Sequence, residues 1–372
     1  MKRNNMQVQS TLNQATPKLR FSGFKEEWVT DKFGSHTSII MGQSPDGNSY
    51  NKLGKGSPLI NGPTEFTNKY PIKIQWTSKP TKICKPGDVL LCVRGSSTGR
   101  MNIADDHYCI GRGIAAITSN SRSDSKYVQY LLELLVNRIL RLTSGSTFPN
   151  VDKKSLNDII TAFPNRKEQK KIASFLSSID DWIENLRQQK ASLEKYKKGI
   201  MQKIFSQEIR FKDETGKEFP KWEIKKLGDI FINIKSGKDK PNDYGEYNIY
   251  GSTGVIGTSD KYSYEGEFIL IARVGAYAGK LNKVRGKFGV TDNTLVLESP
   301  VPVNMDFFFN LLNTINIRKL VFGSGQPLVT SGHLRKIEIK LPCVKEQMKI
   351  AEFLSSVDNL IQAKEEQIKY AE

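Results

Sequence analysis

Two stretches carry residue types suited to a polyanion. Arg94-Gly95-Ser96-Ser97-Thr98-Gly99-Arg100 and Arg273-Val274-Gly275-Ala276-Tyr277-Ala278-Gly279-Lys280 each set an Arg at the end of an apolar run, small residues behind it and a second cation after them. Small residues let the backbone approach a phosphate, and a guanidinium can donate two parallel hydrogen bonds to a guanine edge. The candidate DNA contacts are therefore Arg94, Ser96, Thr98 and Arg100 in the first stretch, and Arg273, Tyr277 and Lys280 in the second. A further pair of small-residue loops, Ser144-Gly145-Ser146-Thr147 and Ser324-Gly325-Gln326, adds Ser144, Thr147 and Gln326. Any one of these loops reads equally well as an ordinary Gly-rich turn. Their recurrence at corresponding places in both halves of the chain favours a site.

Catalytic patterns do not appear. The sequence has no G-x-x-x-x-G-K-[ST] loop for a nucleotide, no dinucleotide fingerprint and no Pro-Pro pair, hence no Asn/Asp-Pro-Pro-aromatic motif of an amino-methyltransferase. Glu223-Ile224-Lys225 and Glu338-Ile339-Lys340 fit the second part of a nuclease motif but lack the preceding Pro-Asp, and they read as alternating strand residues. Cys84, Cys92, Cys109 and Cys343 form no C-x-x-C pair, and His36, His107 and His333 lie far apart, so neither a metal site nor a triad is indicated. The cysteines read as buried thiols.

The charge balance gives the clearest hint of a partner. In 372 residues, 56 Lys+Arg against 39 Asp+Glu leave a net charge of +17, which suits nucleic acid but by itself also fits a merely soluble basic protein. No apolar run approaches the ~20 residues of a membrane helix, and the polar first twenty residues hold no secretory signal, so a cytoplasmic location and no membrane partner are expected.

The elements that position the loops come from a duplication. Lys167-Glu168-Gln169-Lys170-Lys171-Ile172-Ala173-Ser174-Phe175-Leu176-Ser177-Ser178-Ile179-Asp180 recurs almost unchanged at 345–358, an offset of 178 residues without a gap. Arg20-Phe21 followed by Trp28 and Gly34 echoes Arg210-Phe211 followed by Trp222 and Gly228. Each half thus reads as a globular segment followed by a helix. In the first helix Ile172, Leu176, Ile179, Ile183 and Leu186 step by 4, 3, 4 and 3, and Leu193, Ile200 and Ile204 continue the stripe with Lys190 and Lys197 at two skipped places. That is a coiled-coil seam, and Ile350, Leu354, Val357 and Ile361 repeat its register. Each helix is the other's natural partner, and a pseudo-two-fold relation would make them antiparallel. By the repeat a full second copy would extend to about position 383, beyond Glu372, so truncation of the second helix stays open.

Between the helices, short runs rich in Val, Ile, Leu and aromatics are bounded by Gly, Pro and Asn, with helices expected at 124–142 and 304–322. The expected fold class is α+β: two mostly-β domains with pseudo-two-fold symmetry, separated by two long helices in an antiparallel coiled coil. The expected divisions are a disordered polar tail at 1–16, recognition domains at 17–164 and 206–343, and spacer helices at 165–205 and 344–372.

Arg-Phe…Trp opening each domain, and Pro-x-x-x-Glu-Gln-x-x-Ile-Ala-x-Phe-Leu-Ser-Ser-hydrophobic-Asp closing it at Pro164 and Pro342, resemble the specificity subunit of type I restriction-modification enzymes over residues 17–372. That resemblance implies two target recognition domains, each reading half of a split, asymmetric site on double-stranded DNA. It implies helices that set the spacer and hold two methyltransferase subunits, with restriction subunits joining that core. It implies no catalysis and no cofactor in this chain, with S-adenosylmethionine, ATP and magnesium belonging to the partners. The competing readings are a self-sufficient methyltransferase or nuclease with unrecognised motifs, and a coiled-coil scaffold without sequence-specific DNA binding.

Overall fold

Apolar runs without polar alternation become strands covered on both faces. The computed structural model of the chain describes residues 16–143, 149–242, 244–315, 317 and 328–372. The tail expected at 1–16 lies outside the described residues except for Thr16. The chain divides into two compact units, Met1–Trp182 and Ile183–Glu372.

The first unit contains β1 (Val29–Lys32), β2 (Thr37–Met41), β3 (Tyr50–Asn51), β4 (Ser57–Ile60), β5 (Trp76–Thr77), β6 (Ile83–Cys84), β7 (Val89–Cys92), β8 (Met101–Ile103), β9 (Tyr108–Ile110), β10 (Ile114–Ser119) and β11 (Ile160–Phe163). Its helices are α1 (Ser125–Leu142), α2 (Lys153–Asn157) and the start of α3 (Arg166–Phe205). An antiparallel sheet runs β2-β10-β7-β8, a small mixed sheet runs β3-β5-β4-β9-β6, and β1 pairs with β11. β7 is buried throughout because alternate residues face different cores. Val89, Leu91 and Val93 pack with Tyr127, Leu131, Leu135 and Ile139 of α1, while Leu90 and Cys92 pack with Ile60, Tyr108 and Ile110.

The second unit holds β12 (Glu223–Lys226), β13 (Asn233–Ser236), β14 (Tyr247–Gly251), β15 (Gly254–Ser259), β16 (Tyr264–Ala272), β17 (Leu281–Val290), β18 (Thr294–Glu298) and β19 (Glu338–Leu341). Its helices besides α3 are α4 (Leu227–Ile230), α5 (Met305–Thr314), α6 (Ser331–Arg335) and α7 (Val344–Ala371). The sheet order β13-β18-β16-β17-β14-β15 repeats that of the first unit and extends it, because β14 adds to β17 in parallel as β4 adds to β9. The helix expected over 304–322 stops earlier. Asn313 and Thr314 turn their side chains to the carbonyls of Phe309 and Leu311, and Ile315 is extended (φ −85°, ψ 122°). Positions 318–322 lie outside the described residues.

The Glu-Gln motif closes each unit by a clasp. Arg20 donates from Nε and Nη2 to the Glu168 carboxylate at 2.8 and 2.6 Å, and Arg210 does the same to Glu346 at 3.2 and 2.7 Å. Glu168 and Glu346 are 1% and 0% exposed, so these are desolvated, bidentate, charge-assisted bonds. Gln169 and Gln347 each donate to the carbonyl of the preceding Pro, Pro164 and Pro342, at 2.9 Å. Phe21 stacks edge-on to Phe175, and Phe211 packs on Phe353.

Within the second unit α3 and α7 run antiparallel. Lys197 pairs with Asp358 at 2.6 Å, Lys190 with Glu365 at 3.2 Å and Arg187 with Glu372 at 2.5 Å, so numbers rise along one helix as they fall along the other. The two lysines that interrupt the apolar stripe thus meet acids across the seam, a pattern that fixes register in coiled coils. Ile183, Leu186, Ile350, Leu354 and Val357 are buried, and Ile361 is half-buried. Ile172, Leu176 and Ile179 belong to the part of α3 in the first unit; all three are half-buried, and Ile172 packs on that unit's core.

Glu223 and Lys225 form an exposed ion pair on β12, and Ile224 and Lys225 lie opposite Lys340 and Ile339 of β19, an ordinary strand ladder. His36 is buried against the Phe163 ring, which lowers its pKa through desolvation, and no group of metal-ligating side chains occurs among the described residues. Cys84, Cys92 and Cys109 are buried as expected, whereas Cys343 is half-buried. Burial pushes the Cys84 thiol up to about 12 and that of Cys92 to about 11. Iodoacetamide at pH 8 is therefore expected to alkylate Cys343 well before the other three. Peptide mass spectrometry over time checks this, and early labelling of Cys84 or Cys92 would contradict the burial.

Candidate nucleic-acid interface

Both candidate loops are tight hairpin ends built in the same way. β7 passes through a 3-10 turn, Gly95–Ser97, to β8, and β16 passes through Gly275–Tyr277 to β17. Gly95 and Gly275 both hold φ near +75°, a conformation that penalises any other residue. The hydrogen bonds coincide one for one. Cys92 N–H donates to Arg100 O and Ala272 N–H to Lys280 O, both at 2.8 Å; Thr98 N–H donates to Gly95 O at 3.1 Å and Ala278 N–H to Gly275 O at 3.0 Å.

This bonding corrects the expected correspondence of the arginines. Val93 N–H donates to Gly113 O and Arg273 N–H to Asn293 O, both at 2.9 Å, so Arg273 occupies the place of Val93. Arg94 bridges to Asn150, and its counterpart Val274 bridges to Leu328. A slip of one residue along a strand turns a side chain to the opposite face. Arg94 is accordingly exposed, whereas Arg273 is half-buried and its Nε has no partner among the described residues.

The other candidates separate too. Ser96 and Arg100 are exposed on the first loop. Thr98 is not available to a ligand: it is 7% exposed, and its hydroxyl donates to Gly95 O at 2.7 Å, closing the turn. Tyr277 is exposed and carries the Lys280 ammonium 5.4 Å from its ring centre. Lys280 also lines a groove with Lys197, Lys198 and Asp358 of the helix pair, a different concavity from that of Arg94. Ser144, Thr147 and Gln326 lie outside the described residues.

Arg94 sits in a cleft of about 1050 Å³ whose walls come from separate strands and loops. Ser44, Tyr50, Asn61, Arg112 and Asn150 line it, and among the described residues no carboxylate does. Arg112 is exposed, and its N–H donates to the Ser44 hydroxyl at 3.2 Å. Two guanidinium groups with amide and hydroxyl side chains and small-residue backbone make a surface that donates hydrogen bonds to anionic oxygens and base acceptors. The sequence signalled only Arg94 here. Arg112, Asn61 and Asn150 come from separate segments, and only the Gly on either side of Arg112 marks it out. A second cleft, of about 700 Å³ in the other unit, sets Lys235 and Lys238 against Asp239, Glu265 and Glu298 and carries one acid more than it has cations.

A family model described as the type I restriction modification DNA specificity domain matches residues 25–195 and again residues 220–370. The chain belongs to this family. A putative type I restriction enzyme MjaX specificity subunit of Methanocaldococcus jannaschii is 42% identical over 190 residues, covering 50% of this chain and 44% of that protein. The chain thus aligns with less than half of that relative's length. The MjaVIII specificity subunit of the same organism is 28% identical over 395 residues, covering 93% of this chain and 90% of the relative. The crystal structure of a type I restriction-modification system S subunit from M. genitalium shares the fold, with a TM-score of 0.59, 21% identity and 96% of each chain covered. The two matched specificity domains contain the two hairpin loops, and each runs on into its long helix, α3 or α7.

Proposed function

We propose that this chain is the DNA-reading subunit of a type I restriction-modification complex and performs no chemistry itself. Each globular unit reads one half of a bipartite, asymmetric site on double-stranded DNA. The long helices set the gap between the halves and hold two methyltransferase subunits, and restriction subunits join that core. S-adenosylmethionine, ATP and magnesium act in those partners, and the complex works in the cytoplasm where the DNA lies. Residues 17–164 and 206–343 serve as the recognition domains, and 165–205 and 344–372 as the spacer helices.

One observation carries this reading. A hairpin scaffold repeated bond for bond presents different side chains at its mouth, Arg94 and Arg112 in one unit and Val274 and Asp292 in the other. Two copies of one binding frame with unlike chemistry suit two unlike half-sites. The net charge of +17 supplies the affinity for phosphate that reading requires. No helix of the described residues is long and apolar enough to cross a membrane.

The test is to map methylated positions genome-wide in cells with and without the gene. A two-part motif that appears only with the gene, and changes in one half when one unit is exchanged for that of a relative, is expected. Methyl transfer by the purified chain alone would overturn the reading. Binding of the assembled complex to its site should fall about 10³–10⁵-fold between 50 and 200 mM salt if six to ten phosphates are neutralised. Titrations at graded salt measure that slope, and a flat response would exclude phosphate contacts as the source of affinity.

A further inference from the structure

We propose that the hairpin mouth is where each unit discriminates bases: the first unit reads guanine through Arg94 and Arg112, and the second reads a cytosine amine through Asp292 beside the methyl groups of Val274. This deepens the function proposed above and rests on it.

The equivalence of the positions is fixed by backbone bonds. Val93 and Arg273 take their N–H acceptors from Gly113 and Asn293, so the residues just before these, Arg112 and Asp292, occupy corresponding places. Gly111 N–H donates to Ile60 O at 2.8 Å and Thr291 N–H to Tyr250 O at 3.0 Å, which extends the correspondence through the parallel-strand joint. Arg94 and Val274 correspond through their bridges to Asn150 and Leu328. Arg94, Arg112 and Asp292 are exposed and Val274 is half-buried.

These pairs make opposite demands on a ligand. A guanidinium only donates hydrogen bonds, and a carboxylate only accepts them. In the major groove guanine offers two acceptors, N7 and O6, which match Arg; cytosine offers the N4 amine, which matches Asp, and a thymine methyl matches an apolar side chain. A carboxylate at this position does not suit a phosphate. In a chain whose net charge is +17, an exposed acid where the sister unit holds an arginine repels the DNA backbone. A base amine is the DNA group whose chemistry matches it.

The experiment uses the full complex with its methyltransferase partner and reads the methylated motif in cells expressing the wild-type chain, Arg94→Ala, Arg112→Ala or Asp292→Asn. The three side chains lie at the surface, so folding should be retained, and circular dichroism with thermal melting verifies that. In the wild-type motif one half should contain guanine. Arg94→Ala and Arg112→Ala should each relax discrimination at one guanine of that half by about 5- to 150-fold while the other half stays intact. Asp292→Asn should relax a cytosine position in the other half only. An unchanged motif with all three variants overturns the proposal, as does a uniform loss of methylation without relaxed positions, which marks phosphate contacts alone. A wild-type chain that directs no two-part motif removes the underlying function together with this assignment, so the two failures are distinguishable.

Discussion

Replacing Glu346 with Ala is expected to destabilise the second unit by about 3–5 kcal/mol, because it removes the buried acceptor that neutralises the half-buried Arg210 guanidinium and bonds the Trp222 indole. Glu346 is 0% exposed and accepts three bonds, two from Arg210 at 3.2 and 2.7 Å and one from Trp222 Nε1 at 3.0 Å. For a unit of this size the melting temperature should fall by roughly 6–20 °C. The matching change in the first unit, Glu168→Ala, should cost less. Trp28 Nε1 is buried with no partner among the described residues, so that clasp lacks the third bond. Pairing Glu346→Leu with Arg210→Met should recover part of the loss, since it leaves the Trp222 indole and the Phe219 and Pro220 carbonyls without these partners but no unpaired charge. Calorimetry on the four proteins decides the matter. A loss below about 1 kcal/mol for Glu346→Ala would show that the clasp behaves as a surface ion pair.

The clasp also marks how far the sequence could be read. The Glu-Gln motif stood out because it recurs at one offset, and the letters alone placed it at the boundary between globular segment and helix. Its partner Arg20 lies 148 residues away, a distance that no local pattern bridges. The seam of α3 was legible for the same reason that it packs: an apolar step of 3 and 4 puts side chains on one face. Even the interruptions at Lys190 and Lys197 were visible, but their acids stand on a different helix. The hairpin loops show the limit most sharply. Both carry an Arg before a small-residue turn, and the shared letters suggested that Arg94 and Arg273 are equivalent. The backbone bonding shifts one of them by a single position, and a strand converts that shift into a change of face. Arg112 and Asp292 were illegible because the sites they occupy are assembled by sheet pairing, including the parallel joints β4–β9 and β14–β17.

The other large effect concerns the helices. Matched seven-residue insertions, one in α3 between Lys190 and Lys197 and one in α7 between Asp358 and Glu365, are expected to lengthen the spacer of the recognised site. Seven residues restore the coiled-coil repeat, so the pairs Lys197–Asp358 and Lys190–Glu365 can both re-form. The added rise is about 10 Å, the length of about three base pairs. Three base pairs also turn the duplex by about 100°, whereas seven helical residues fall only ~20° short of two full turns. The longer site should therefore be methylated more slowly than the original, with both half-sites unchanged. An insertion in α3 alone should fare worse, because it leaves one side of the seam without its acids. Motif mapping with each insertion variant reads the spacer directly, and a spacer that stays at its wild-type length in the matched variant would show that the helices do not set it.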